Sequence, residues 1–431
     1  MNVASLKKLG RELDDYLESL TTGMGRPERR AAMGLYMTGL LLDGERKSIE
    51  PIAARLVDRP TEVQAMRQRL QQAVVVADWA ESEIFARVAM KLEKSLPGLE
   101  ALVIDDTGFE KKGVHSVGVQ RQYSGTCGRT ENCQVATSLH LAGEAGSGCI
   151  GMRLYLPEVW TNDVARRQKA GVPESIEFEE KWRLAIRLLD EALAVGVRKH
   201  VVLADAGYGD STDFRREVVA RGLRYVMAVS GKLVVWMPGA APQRMTVRGG
   251  KNVAFVDPKL PPVAISEFAP ALTYRKVTWR DGSRGVQSSS YAVARVRTAS
   301  EHSKGRPPGD EQWLLAWWPE GEPKPTKFWL SDLPANTPAK RLVQLAKLRW
   351  RVERDYQEMK GELGLDHFEG RTWRGFHHHA TLCAAAHAFL ALQRRLFPPA
   401  HLSLDATDGA SSDSASAAET DRYVPALSSP L

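Results

Sequence analysis

The sequence predicts an α/β protein, and three observations predict it. Two short apolar runs, ALVIDD at 101–106 and VVLAD at 201–205, read as buried strands ending on carboxylates. Residues 1–98, 176–195, 339–363 and 376–396 place apolar residues at helical spacing. Residues 228–330 hold short strand-like runs separated by Gly, Pro and polar turns. Strands interleaved with helices imply a layered α/β core, here with an all-helical N-terminal domain before it and a β-rich insertion within it.

The elements follow in order. Leu6, Leu9, Leu13, Leu17 and Leu20 define an amphipathic helix, and a second runs over about 62–76, with Pro51 and Pro60 as punctuation. Arg26, Arg29 and Arg30 form a basic patch in this segment. After ALVIDD, the stretch to 143 partly alternates and carries turn glycines, which predicts antiparallel strands. Residues 176–195 are helical, with Trp182, Ile186, Leu189 and Leu193 on one face. VVLAD is the next strand, 211–221 a short helix and RYVMAVS another strand. VAISEF, LTYRKVTW, SSYAVARVR and QWLLAWW are the strand candidates of the following region. Pro334 and Pro338 precede a long helix over 339–363, and 376–396 is a further helix. The tail beyond 399, rich in Ser, Ala and Asp, has little to bury and is expected to be disordered.

Composition narrows the function classes. The 431 residues contain four cysteines, which excludes a disulfide-stapled scaffold and points to a reducing compartment. The N-terminal residues are charged throughout and lack an apolar core, so neither a secretory signal nor a membrane span is expected and a cytoplasmic protein is. The net charge is +7, but residues 228–306 alone hold thirteen Lys/Arg against four Asp/Glu. Clustered positive charge is the footprint of phosphate binding. Trp236, Trp279, Trp313, Trp317, Trp318 and Trp329 lie in or beside this region, where aromatic rings can stack on bases or pack in the sheet.

The chemistry centres on three carboxylates. Asp105 and Asp205 end the two buried strands, and ligands of α/β sheets gather at carboxyl ends of strands. Glu353 lies on the helix LRWRVERDYQEMKG with Arg349 and Lys360 near the same face. Two strand ends and one helix can build an oxygen-rich cluster suited to Mg²⁺. Two such ions suit in-line phosphoryl transfer. By contrast, His377, His378 and His379 diverge in direction on a helix, and with His387 they read as structural. Cys127 and Cys133 have no second pair to complete a zinc site. The glycines of 207–209 lack the Lys-Ser/Thr of a nucleotide loop.

Four segments carry a family resemblance: IDDTGFEKKG at 104–113, RQYSGTCGRTENCQ at 121–134, LADAGYGD at 203–210, and RWRVERDYQEMKGELGLDHFEGRTWRGFHHH at 349–379. The stretch LPEVWTNDVARRQKAGVPE at 156–174 adds to them. With these the chain, over about 75–395, resembles bacterial insertion-sequence transposases of the DDE type, in the group with a Tyr-Arg-Glu-Lys signature. The resemblance implies a ribonuclease H-like core in two parts, 99–227 and 333–398, around an insertion at 228–332, after an N-terminal DNA-binding domain at 1–98 and before a tail at 399–431. It implies Asp105, Asp205 and Glu353 as catalytic metal ligands, with Asp106 the adjacent competitor of Asp105. Two Mg²⁺ ions, replaceable by Mn²⁺, would cut the element's end and direct its 3′-hydroxyl into target DNA. Arg349 and Lys360 match the signature's phosphate contacts, whereas its Tyr falls at Ala346, with Tyr356 the nearby hydroxyl. Lys111 and Arg129 are further DNA candidates, and Trp329 or Trp318 would stack on a flipped base. The implied partner is double-stranded DNA, at element ends and target, bound by a dimer at the nucleoid, with no membrane and no small-molecule cofactor. The alternative is a catalytically silent, domesticated relative that binds DNA, whose mark would be a lost carboxylate.

Overall fold

The computed structural model describes residues 3–125, 128–247, 252–282 and 285–396. The expected tail and Cys127 lie outside them. The described chain opens with helices α1 (Val3–Thr21), α2 (Pro27–Leu41), α3 (Ile49–Arg55), α4 (Val63–Gln71, continued by a π turn) and α5 (Glu81–Ser95). Strands β1 (Leu99–Glu110), β2 (Gln120–Ser124), β3 (Arg129–Gly143) and β4 (Gly146–Leu154) follow, then α6 (Glu158–Thr161), α7 (Val164–Ala170) and α8 (Lys181–Ala194). Next come β5 (Val201–Ala204), α9 (Ala206–Gly209), α10 (Thr212–Ala220), β6 (Tyr225–Val229), β7 (Val234–Trp236), β8 (Gln243–Val247), β9 (Asn252–Val256), β10 (Val263–Ala264) and α11 (Ile265–Phe268). The last elements are β11 (Arg275–Gly282), β12 (Gly285–Thr298), β13 (Glu311–Trp318), β14 (Lys327–Ser331), α12 (Ala339–Leu348), α13 (Trp350–Gly361) and α14 (Trp373–Leu396). The protein is thus mixed α/β. Among the described residues no helix is long and apolar enough to cross a membrane.

Two compact units divide the chain. One takes Met1–Leu99, Asp106–Arg198 and Arg351–Leu431, and the other takes Glu100–Asp105 and Lys199–Trp350.

In the first unit, β3 pairs antiparallel with β2 and β4. Helix α14 is its centre. From Gly375 to Phe389 every residue of this helix is buried, so that stretch has no solvent face. It packs on β4, α5 and α2. The N-terminal helices bury one stripe each, as Leu9, Leu13, Tyr16 and Leu20 do on α1. Their partner for that stripe includes the other end of the chain: the Tyr16 hydroxyl donates to the Ala385 carbonyl at 2.8 Å. The helical segment at 1–98 therefore shares its core with α14 rather than closing on itself.

In the second unit, β5 lies between β1 and β6, parallel to both. All three are apolar on both faces, as central parallel strands must be. The region expected as an insertion continues this sheet: β14 pairs antiparallel with β6, β13 with β14 and β12 with β13. VAISEF, expected as a strand, gives only the two residues of β10 before turning into α11. The expected single helix over 339–363 is interrupted at Arg349, which ends α12.

Candidate active site

Parallel pairing matches Ala101 with Val201, Leu102 with Val202 and Val103 with Leu203. Asp105 and Asp205 each stand two residues further on, so the two carboxylates lie level with each other on neighbouring strands. Only Asp205 ends its strand as expected; β1 runs on past Asp105 to Glu110, so Asp105 is a mid-strand residue. Asp205 leaves β5 in an extended conformation and caps α9, accepting the Tyr208 N–H at 3.3 Å. Glycines make this turn possible. A Cβ on Gly209 would stand 1.9 Å from the Ala228 carbonyl oxygen, and one on Gly207 would stand 3.1 Å from Asp205 Oδ1. On β1, Asp105 Oδ2 accepts from Arg349 Nη1 at 2.7 Å, with the carboxylate side chain 13% exposed.

Asp106 has different company. Strand alternation sends consecutive side chains to opposite faces. In the first unit, its carboxylate accepts from the Thr137 hydroxyl at 3.1 Å and from the Lys181 ammonium. The buried Thr107 hydroxyl follows it on β1.

Glu353 lies in the first turn of α13 and is exposed. The same helix turns Asp355 and Glu358 inward, both at most 5% exposed. Lys360, in its last turn, donates to the Gly108 carbonyl at 2.8 Å and lies 5.3 Å from the Phe109 ring. Ala346, where the signature Tyr would fall, is buried on α12. The Tyr356 hydroxyl is engaged with Ser138 Oγ at 2.5 Å.

The other candidates are scattered. Lys111 donates to the Phe368 carbonyl at 3.0 Å, and burial lowers its pKa. It borders a cleft of about 350 Å³ that Lys112, His115, Arg46 and Arg371 also line. Arg129 is 69% exposed and paired with Glu131 at 2.7 Å. Trp329 is a sheet-core residue, 7% exposed, paired across β14 with Leu315 and Ala228. Trp318 donates to the Glu322 carbonyl at 2.8 Å and meets Tyr274 edge-on at 5.1 Å.

Two cation–aromatic contacts lie outside the site residues expected from sequence. Trp350, directly after Arg349, is 40% exposed, with the Arg280 guanidinium 5.7 Å from its ring. Its place in the RWR run was the available signal. Lys347 lies 3.7 Å from the Trp317 ring and 5.2 Å from that of Trp279; burial and then Lys327 push it down to about 8.

The four histidines of α14 are interior residues. His379 donates through Nε2 to the Gly364 carbonyl at 3.1 Å and accepts through Nδ1 from the Tyr36 hydroxyl at 2.8 Å. His378 stacks on Trp79 at 3.6 Å. His377 and His387 are equally buried. Cys133, Cys149 and Cys383 are buried free thiols. Among the described residues no group of three or more His, Cys, Asp or Glu forms a metal cluster. Asp105 and Asp205 offer hard carboxylate oxygens, the type that binds Mg²⁺ through one or two protein ligands.

Residues 19–286 match the family described as DDE superfamily endonuclease, a span that includes both aspartates and ends before Arg349, Glu353 and Lys360. The chain is also similar to a probable transposase for insertion sequence element IS701 of Microchaete diplosiphon. The two are 24% identical over 336 residues, covering 77% of this chain and 74% of the relative.

Proposed function

This chain belongs to the DDE superfamily endonuclease family, and on that premise we propose that it is a DNA transposase of a bacterial insertion sequence. The observation that carries the reading is the register that sets Asp105 level with Asp205, where β5 ends beside the longer β1. Glu353 is the third carboxylate. It follows four residues after Arg349, the partner of Asp105, and seven before Lys360. The core is of the ribonuclease H type, and the protein acts as a dimer on DNA at the nucleoid.

Asp105, Asp205 and Glu353 would hold divalent cations, Mg²⁺ with Mn²⁺ as substitute, because an anionic all-oxygen set fits hard ions. When bound, such ions activate the attacking oxygen and stabilise the leaving one. Asp105 is preferred to Asp106 because the register sets it level with Asp205, whereas Asp106 is engaged by Thr137 and Lys181. Arg349 balances the charge of Asp105 and, with five N–H donors in a fork, can orient the scissile-end phosphate. Lys360 supplies a second positive charge, and Lys111 and Arg129 extend the contact to the duplex. Water cuts the phosphodiester at the element's end, with the 3′-oxygen leaving. That 3′-hydroxyl then attacks a target phosphodiester, and a target 3′-oxygen leaves in turn. Trp318, with more ring exposed than Trp329, is the better base-stacking candidate.

The test is cleavage of DNA flanking this gene in Mg²⁺. Wild-type protein is expected to cut at a defined end and Glu353→Gln not to. End-specific binding without cutting by the wild type would instead indicate a DNA-binding protein without nuclease activity.

A further inference from the structure

Helix α13 has two chemically distinct faces. Glu353 is exposed, while Asp355 and Glu358, two and five residues on, lie around the far side and are buried. Asp355 meets His140 Nδ1 at 2.7 Å through Oδ2 and accepts from the Ser147 hydroxyl at 2.6 Å through Oδ1. His140 Nε2 is 3.0 Å from Ser138 Oγ, which is 2.5 Å from the Tyr356 hydroxyl. Glu358 accepts from Arg354 at 2.6 Å and from Arg394 at 2.8 Å, and lies 3.0 Å from His387 Nε2. Side chains of β3, β4 and α14 thus grip one face of one helix.

The order Ser138, His140, Asp355 is that of a nucleophile, base and orienting acid. A substrate role fails on access, because Ser138 and His140 are both 0% exposed. A pure stability role is also a poor explanation. Buried ion pairs seldom beat well-packed apolar residues, since desolvation offsets their attraction. What directional bonds provide, and apolar contact does not, is a fixed rotation and register. A slip of one residue turns an α-helix by about 100°, enough to carry Glu353 away from its direction.

We propose that His140, acting through Asp355, is a positioning residue for Glu353: the Ser147–Asp355–His140–Ser138–Tyr356 chain sets the rotation of α13 on β3 and β4. This rests on reading Glu353 as the third carboxylate.

The test compares His140→Gln and Tyr356→Phe with wild type in single-turnover cleavage, end-DNA binding, Mn²⁺ binding by calorimetry and amide hydrogen exchange of α13. His140→Gln is expected to bind end DNA as wild type does, to cut about 10- to 100-fold more slowly and to bind Mn²⁺ more weakly, the scale at which misplacement slows catalysis. Exchange should quicken in α13 and not in α1. Tyr356→Phe, which loses one hydroxyl at the edge of the chain, should show the same pattern at about 3- to 10-fold. If His140→Gln does not fold, Tyr356→Phe decides alone. Unchanged cutting with unchanged exchange, or a loss of cutting that only follows the loss of folded protein, would overturn the proposal. If Glu353→Gln itself cuts like wild type, the functional reading fails instead, whatever His140 does.

Discussion

Asp105 and Asp205 each stand two residues beyond a directly paired couple, Val103 and Leu203, on parallel strands. Their carboxylates differ in what holds them: Arg349 for Asp105, a backbone N–H for Asp205.

That difference separates capping from chemistry at Asp205. Asn caps a helix as well as Asp, whereas Ala loses about 1 kcal/mol. Asp205→Asn is therefore expected to keep the wild-type melting temperature and lose cleavage. Asp205→Ala should lose cleavage and also melt lower. Thermal melts beside the cleavage assay check both; an active Asp205→Asn would remove Asp205 from the site.

The turn after Asp205 admits no side chain at Gly209, where a Cβ would meet the Ala228 oxygen at 1.9 Å. Gly209→Ala must displace backbone and should cost about 1–3 kcal/mol, the usual scale of overpacking. Urea denaturation midpoints measure it. Gly171→Asn, where the glycine has a φ of 65° and nothing lies within 4 Å, is the control and should be far milder.

The His140–Asp355 pair gives the stability a pH dependence of known sign. Burial disfavours a charged His140, but the Cys149 sulfur and Asp355 outweigh it and raise its pKa from 6.5 to about 10. A raised histidine contributes stability in full below pH 6.5 and loses it as pH rises towards 10. Burial likewise opposes charge on Asp355, but His140, His387 and Ser147 hold it below the usual carboxylate range. That contribution is present above the ordinary carboxylate pKa and is lost only in strong acid. The stability difference between wild type and His140→Gln should therefore shrink between pH 7 and pH 10. Denaturant midpoints for both proteins test this, and a difference that stays constant would contradict the ionised pair.

The two tryptophans should behave differently. Trp329, 7% exposed, packs in the sheet, so Trp329→Ala should cost about 3–5 kcal/mol of stability. Trp318→Ala should cost less and show its effect in cutting of the element end. Equal stability losses would leave Trp318 as packing.

How far the sequence led depends on the range of the interactions involved. The place of Asp205 directly after a buried strand was legible because an apolar run into a carboxylate is a local pattern; the same pattern at Asp105 hid a strand that runs on to Glu110. Asp105 and Asp106 are neighbours that a sequence cannot tell apart, because their partners are distant in the chain: Arg349 for one, Thr137 and Lys181 for the other. The strands of 228–332 were mostly readable, but their joining to β6 was not, because the paired Phe328 and Val229 are separated in sequence by all of β7 to β13. The interruption at Arg349 was hidden inside a continuous helical pattern. His140 carried no signal at all, since its partner Asp355 is 215 residues away.

The most direct measurement is single-turnover cleavage of the element end in Mg²⁺ by Asp105→Asn, Asp205→Asn, Glu353→Gln and the double variant Asp105→Asn with Glu353→Gln. Groups that act as a unit are non-additive. Each single change should slow cutting by roughly 10³-fold or more, and the double should be no slower than the singles. Near wild-type cutting by Glu353→Gln beside inactive aspartate variants would contradict the account, by showing that Glu353 does not work with Asp105 and Asp205.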